Sequence, residues 1–138
     1  ELINADYNLS FNANDEDVKD FMKVEIKSPH QDDEFERSMI MNDLFMKLVT
    51  NKDTHSRQLV ITPAYIGKPG LQACITCIQI LIRKDSVYLN IYMRSQNIDN
   101  FTYDNQTFAM IAGMAALSTQ SKQCNVNVRI ASLHKILE

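Results

Sequence analysis

Between Asp104 and Leu117 the sequence is apolar on nearly every side, with Phe108, Met110, Ile111, Ala112, Met114, Ala115 and Ala116 leaving no broad hydrophilic face. A helix of that kind cannot rest on a surface and must be enclosed. Asp104 is suited to cap its start. The rest of the chain must therefore supply a sheet and further helices to cover it. At 138 residues, with 45% apolar and 22% charged side chains, there is enough material for one domain with a sizeable core.

The flanking segments read as that cover. Ala73 to Ile82 is rich in β-branched residues, and Ser86 to Arg94 alternates at Val87, Leu89, Ile91 and Met93. With Lys84 and Asp85 between them, the two form a hairpin. Arg57 to Thr62 reads as a strand stopped by Pro63, followed by a loop carrying Gly67, Pro69 and Gly70, and Asn125 to Ile136 alternates as a last strand. From Asp32 to Asn51, Phe35, Met39, Ile40, Leu44, Leu48 and Val49 recur at helical spacing, with Asp32 and Asp33 where the helix dipole favours negative charge. Residues 1 to 28 look polar and irregular. An acidic knot at Asp15, Glu16 and Asp17 is followed by a helical turn at Val18, Phe21 and Met22, then by a short strand from Val24 to Lys27. The expected fold is α/β or α+β, a mixed β-sheet packed by helices, in one domain spanning residues 1–138. Its first 30 residues form a divergent segment and residues 31–138 the core.

Bulk properties exclude several partners. Net charge is -3 and the 14 basic residues are scattered, so no basic stripe for nucleic acid is expected. No apolar run approaches the ~20 residues of a membrane span, and no signal peptide is read at Glu1. Three cysteines, an odd number, point to a reducing, cytoplasmic setting. Three dispersed glycines make no phosphate-cradling loop.

Residue chemistry alone leaves alternatives open. Cys74 and Cys77 have CxxC spacing, but strand positions three apart face opposite ways, which suits two small buried hydrophobes better than a redox or metal site. No metal is expected. His30, His55 and His134 are isolated. Arg94-Ser95 ends a strand, as an anion site or as a solvated terminus. Asn105 beside a buried helix start is a cap or a base-reading amide.

The ordered spacing of these residues resembles the thymidylate synthase family, dCMP hydroxymethylases included. Cys74 precedes Arg94 by twenty residues, Asn105 follows Arg94 by eleven, and Gln79 follows Cys74 by five. Tyr92-Met93-Arg94-Ser95 resembles the family's Tyr-Gln-Arg-Ser. Ser132-Leu133-His134 resembles its sugar-binding motif, and Asp53-Thr54-His55-Ser56-Arg57-Gln58 its Asp-Pro-x-Ser-Arg-Arg loop. The resemblance covers Arg57 to Ile136.

The resemblance implies a thymidylate synthase-like fold, a homodimer through the sheet face with strands apolar on both sides, and a dUMP-like pyrimidine nucleotide monophosphate as ligand. It implies C5 methyl- or hydroxymethyltransfer, with Cys74 as nucleophile and 5,10-methylenetetrahydrofolate as carbon donor. Arg94 and Ser95 would hold the phosphate, joined by Arg57 from the second subunit, and the arginines would lower the thiol pKa. Asn105 would read the base, His134 the sugar, and Gln79 would complete the nucleotide site. Departures support the alternative, a catalytically weakened nucleotide-binding or scaffold homologue. Ile75 replaces a histidine, Gln58 an arginine, Asn97 an aspartate, Thr102 to Asn105 a Gly-x-Pro-Phe-Asn approach and Ile136 a tyrosine, and residues 1–30 offer no counterpart for the family's catalytic glutamate.

Overall fold

The computed structural model describes residues 1–28, 33–50, 56–63 and 74–135. His30, Asp32, the Asp53 to His55 loop, the glycine loop and Ile136 lie outside them. The chain is a mixed α+β fold: strand β1 (Leu2–Asn12), helices α1 (Glu16–Lys23) and α2 (Asp33–Thr50), strands β2 (Val60–Ile61), β3 (Ile75–Arg83), β4 (Ser86–Met93) and β5 (Gln96–Asn97), helix α3 (Phe101–Thr119) and strand β6 (Gln123–His134). The sheet runs β1-β6-β4-β3-β2, with β5 joining β6 beyond the end of β4.

Residues 1–28 differ most from expectation. Tyr7, Leu9 and Phe11 alternate with Asp6, Asn8, Ser10 and Asn12, and this period-two run pairs antiparallel with β6 over its whole length. α1 is real and capped by Asp15, whose Oδ1 accepts from the Asp17 and Val18 N–H groups. Val24 to Lys27, expected as a strand, is irregular. The strand expected from Arg57 to Thr62 is only Val60–Ile61.

β3 and β4 form the expected hairpin, with Lys84 at φ 55 in its turn. β4 and β6 are parallel neighbours, so α3 is a crossover helix laid back across them. Its inner face supplies Phe108, Ile111, Ala112 and Ala115, all at 0% exposure, against Leu89, Ile91, Val126 and Val128 of the sheet. Helix α3 begins at Phe101 with Asn100 as its cap, so Asp104 lies inside the first turn instead of capping it. Gln106 ties three helices together. Its Nε2 donates to the Phe21 and Val24 carbonyls at the end of α1, and its Oε1 accepts from Arg37 of α2 at 2.9 Å.

All three helices cover one sheet face. The outward face is polar, not apolar as a family-like sheet-to-sheet dimer led us to expect. Asn8, Asn127, Asn90 and Gln79 stand in register across four strands, beside a second row of Asp6, Arg129, Tyr92 and Cys77. The inward face supplies the core, and strict alternation leaves these positions to solvent.

Candidate functional site

The C-terminal ends of β4 and β6, the start of β3 and the start of α3 meet at one end of the sheet. The Arg94 N–H donates to the Cys74 carbonyl at 2.9 Å, so the hairpin register itself sets Cys74 across from Arg94, with Ser95 next in the chain. A bulge between Ile75 and Cys77 interrupts that register. It adds a residue on β3, so the opposite-facing argument for cysteines three apart does not hold here. All three cysteines are free thiols, with Cys74 exposed and Cys124 buried.

β5 carries the chain from Ser95 toward the helix. Asn97 pairs with His134 on β6, which brings the half-buried His134 to the same end. Gln96, 1% exposed, donates from Nε2 to Asp104 Oδ2 at 2.9 Å and so fixes the first turn of α3 over β5. Asn105 follows, 9% exposed, its Oδ1 accepting from the Tyr7 hydroxyl at 2.7 Å. Cys74, Arg94, Ser95, Asn105 and His134 are therefore gathered by adjoining elements.

Arg57 and Gln79 lie apart from that group. Gln79 sits within β3, opposite Val60 and Asn90, and its Nε2 donates to the Arg57 carbonyl at 3.1 Å. Arg57 is exposed. Within this chain these two are neighbours of each other at the β2 side of the sheet.

Sequence reading missed the acidic surroundings. Arg37 clamps the start of α2 onto α3: Nε donates to Thr107 Oγ1 at 2.7 Å, Nη2 to the Tyr103 carbonyl at 2.9 Å, and the guanidinium lies 3.7 Å from the Tyr103 ring centre. That clamp sets Asp33 and Glu36 toward the Cys74 end. Glu36 is pushed up to about 7, first by burial and then by Asp33 and Asp104. The Cys74 thiol is also pushed up, chiefly by desolvation. Arg94 pulls it down, while Glu36, Asp104 and Asp33 add to the rise. Lowering of the thiol pKa by arginine, expected from the resemblance, is thus outweighed in the free protein. At the sequence level Glu36 lies on the polar side of an amphipathic helix and Tyr7 at an inward position of an alternating run. Neither pattern by itself points to a site.

The arrangement offers a thiol, a guanidinium and a hydroxyl at adjacent strand ends, with the buried Asn105 carboxamide on the first turns of the helix that follows, bonded to Tyr7 of β1. A guanidinium and a hydroxyl at neighbouring positions are groups that can bind an anion. A separate open groove of about 560 Å³ lies on the outward face between Asn8, Asn90, Tyr92, Asn127 and Arg129. No helix among the described residues is long and apolar enough to cross a membrane. No protein-family model matches the chain, and no curated protein matches it.

Proposed function

We propose that this chain binds a pyrimidine deoxynucleotide monophosphate at the Cys74–Arg94 end of the sheet and acts as a C5 methyl- or hydroxymethyltransferase of the thymidylate synthase type. The observation that carries this reading is the 2.9 Å backbone bond from the Arg94 N–H to the Cys74 carbonyl, which sets residues 74 and 94 across from each other, with the Arg94 charge felt at the Cys74 thiol. Arg94 and Ser95 hold the phosphate. Cys74 Sγ, having lost its proton, bonds to C6 of the ring, and the C5–C6 π pair shifts toward C5 and the 4-oxygen, making C5 a carbon nucleophile. His134 serves the sugar and Asn105 the base.

Methylenetetrahydrofolate is the carbon donor proposed with this chemistry, but the residues present suit it poorly. Asn97 stands where the family has a carboxylate, and its Oδ1 is engaged by the Asp99 N–H at 3.0 Å. No step is therefore derived through the folate. A homodimer that brings Arg57 to a neighbouring site belongs to the same reading, with the polar outward face as its contact.

A second reading, nucleotide binding with little or no turnover, is favoured by the raised Cys74 thiol, which leaves little thiolate near neutral pH. Calorimetric titration with dUMP and dCMP, run on the wild type and Arg94→Ala, tests both. Binding that Arg94→Ala abolishes supports the site, and no heat with either nucleotide sinks it. Turnover lost in Cys74→Ala supports the transferase. Nucleotide binding without turnover supports the second reading.

A further inference from the structure

Helix α2 has two apolar faces. Ile40 and Leu44 are buried, and Met41 and Leu48 pack on the core beside them. Phe35, Met39, Phe45, Met46 and Val49 turn the other way, at 57%, 42%, 54%, 52% and 60% exposure. The apolar positions that recur at helical spacing along this segment are thus divided between opposite sides of the helix. Exposed hydrophobics scattered singly are ordinary, but a continuous row along a whole helix marks an interaction surface.

The row has a definite spacing. Phe35, Met39, Asn42, Met46 and Val49 follow one another at steps of four, three, four and three, the interval at which one helix interlocks with another. Ser38 and Phe45 complete this exposed face, and none of the seven side chains is charged. Asn42 falls at the middle of the helix, which runs Asp33–Thr50. The other six stand symmetrically about it: Phe35 with Val49, Ser38 with Met46, Met39 with Phe45. A two-fold axis through Asn42 therefore lays every one of these positions against an exposed position of an antiparallel copy, which is the self-complementarity a two-fold interface requires. On that axis Asn42 meets its own equivalent, and an amide carries both donor and acceptor, so the two can pair.

Charge sets the direction. Asp33, Glu34 and Glu36 crowd the start of α2, and Lys47 stands in its last turn. A parallel pair would hold the two acidic starts side by side. An antiparallel pair separates them by nearly the length of the helix, roughly 25 Å, and sets each helix start beside the other's end, where the dipoles attract.

We infer that the outer face of α2 is an interaction surface for a second copy of this chain, whose own α2 packs on it antiparallel about Asn42. The contact needs no nucleotide. It lies on the helical side of the sheet and leaves the outward sheet face free. One pair of helices makes a small interface, so the dimer forms in the micromolar range and dissociates on dilution.

Sedimentation equilibrium of the full chain without nucleotide, from about 1 µM to about 500 µM, is expected to show a reversible monomer–dimer equilibrium. Replacing both Met39 and Met46 by glutamate puts four carboxylates on the paired face and is expected to weaken association at least about tenfold. Both side chains are exposed, and thermal unfolding checks that the fold is kept. Leu117→Glu, which charges an exposed apolar position on α3, should leave association unchanged. Direction is read by a short bismaleimide in a Cys74→Ser/Cys77→Ser background: Asn42→Cys should link to its own copy and Phe35→Cys should not. A chain that stays monomeric throughout the range overturns the pairing. So does a dimer that survives the two glutamates, which would place the contact elsewhere. Linkage through Phe35→Cys overturns the antiparallel arrangement.

Discussion

Replacing Glu36 by glutamine should change how stability depends on pH. The Glu36 carboxyl sits in the first turn of α2, half-buried, and is raised from 4.5 to about 7 by burial, Asp33 and Asp104. In the unfolded chain it ionises near its ordinary value. Between those two values the native state holds a proton that the unfolded state has lost, so stability falls as pH rises through this window. Taken in full, that rise would correspond to roughly 3 kcal/mol. The group keeps contact with water, and screening cuts this to about 1–2 kcal/mol. Glutamine removes the titration but also a negative charge at a helix start, which is worth roughly 0.3–1 kcal/mol the other way. The net expectation for Glu36→Gln is a gain of about 1 kcal/mol at pH 8, and no gain or a slight loss at pH 4. Urea unfolding of both proteins across this range measures it directly. A difference between the two that does not vary with pH would refute the assignment of a raised carboxyl at this position.

Other outcomes follow from the packing and the site. Arg37→Ala should cost about 2–4 kcal/mol, since it removes charged donors to Thr107, Gln106 and the Tyr103 carbonyl together with the cation on the Tyr103 ring; chemical denaturation checks it, and a loss below about 0.5 kcal/mol would contradict the clamp. Phe108→Ala, at a side chain with 0% exposure, should cost about 3–5 kcal/mol by the same assay. Alkylation of Cys74, followed by peptide mass spectrometry, should still be rising with pH beyond the range where an ordinary thiol levels off, and Arg94→Ala should slow it further, because Arg94 is the group that lowers this thiol. A faster Cys74 in Arg94→Ala would contradict the electrostatics described.

What the sequence revealed of the fold followed the strength of its periodicity. The α3 helix, the β3–β4 hairpin and β6 are marked by long one-state patterns, and they appear within a few residues of the expected bounds. β1 is hard to see in the sequence because its outward positions, Asp6, Asn8, Ser10 and Asn12, are strongly polar and mask an alternation that is regular. The regular pairing of β2 is confined to Val60 and Ile61 against Gln79 and Ile78, with a further bond from the Ile80 N–H to the Leu59 carbonyl at 2.9 Å. At the candidate site, the meeting of Cys74 with Arg94 and Ser95 at one end of the sheet was legible in their spacing, since a hairpin converts fixed spacing into fixed geometry. Tyr7, Glu36 and Gln96 were not. Tyr7 and Glu36 come to it through long-range packing and Gln96 through a local bond to Asp104, and a single sequence carries no record of which residue fills a buried hydrogen bond.

The central claim is that a pyrimidine nucleotide sits between Arg94 and Asn105. Titration of ¹⁵N-labelled protein with dUMP, followed by amide and side-chain NMR resonances, tests it most directly. The account predicts that the largest shifts fall on the Arg94 and Ser95 amides and on the Asn105 side-chain NH₂, and that the Asn8, Asn90 and Asn127 side chains of the outward face stay still. Shifts confined to the outward face, or a spectrum unmoved by dUMP, would contradict it.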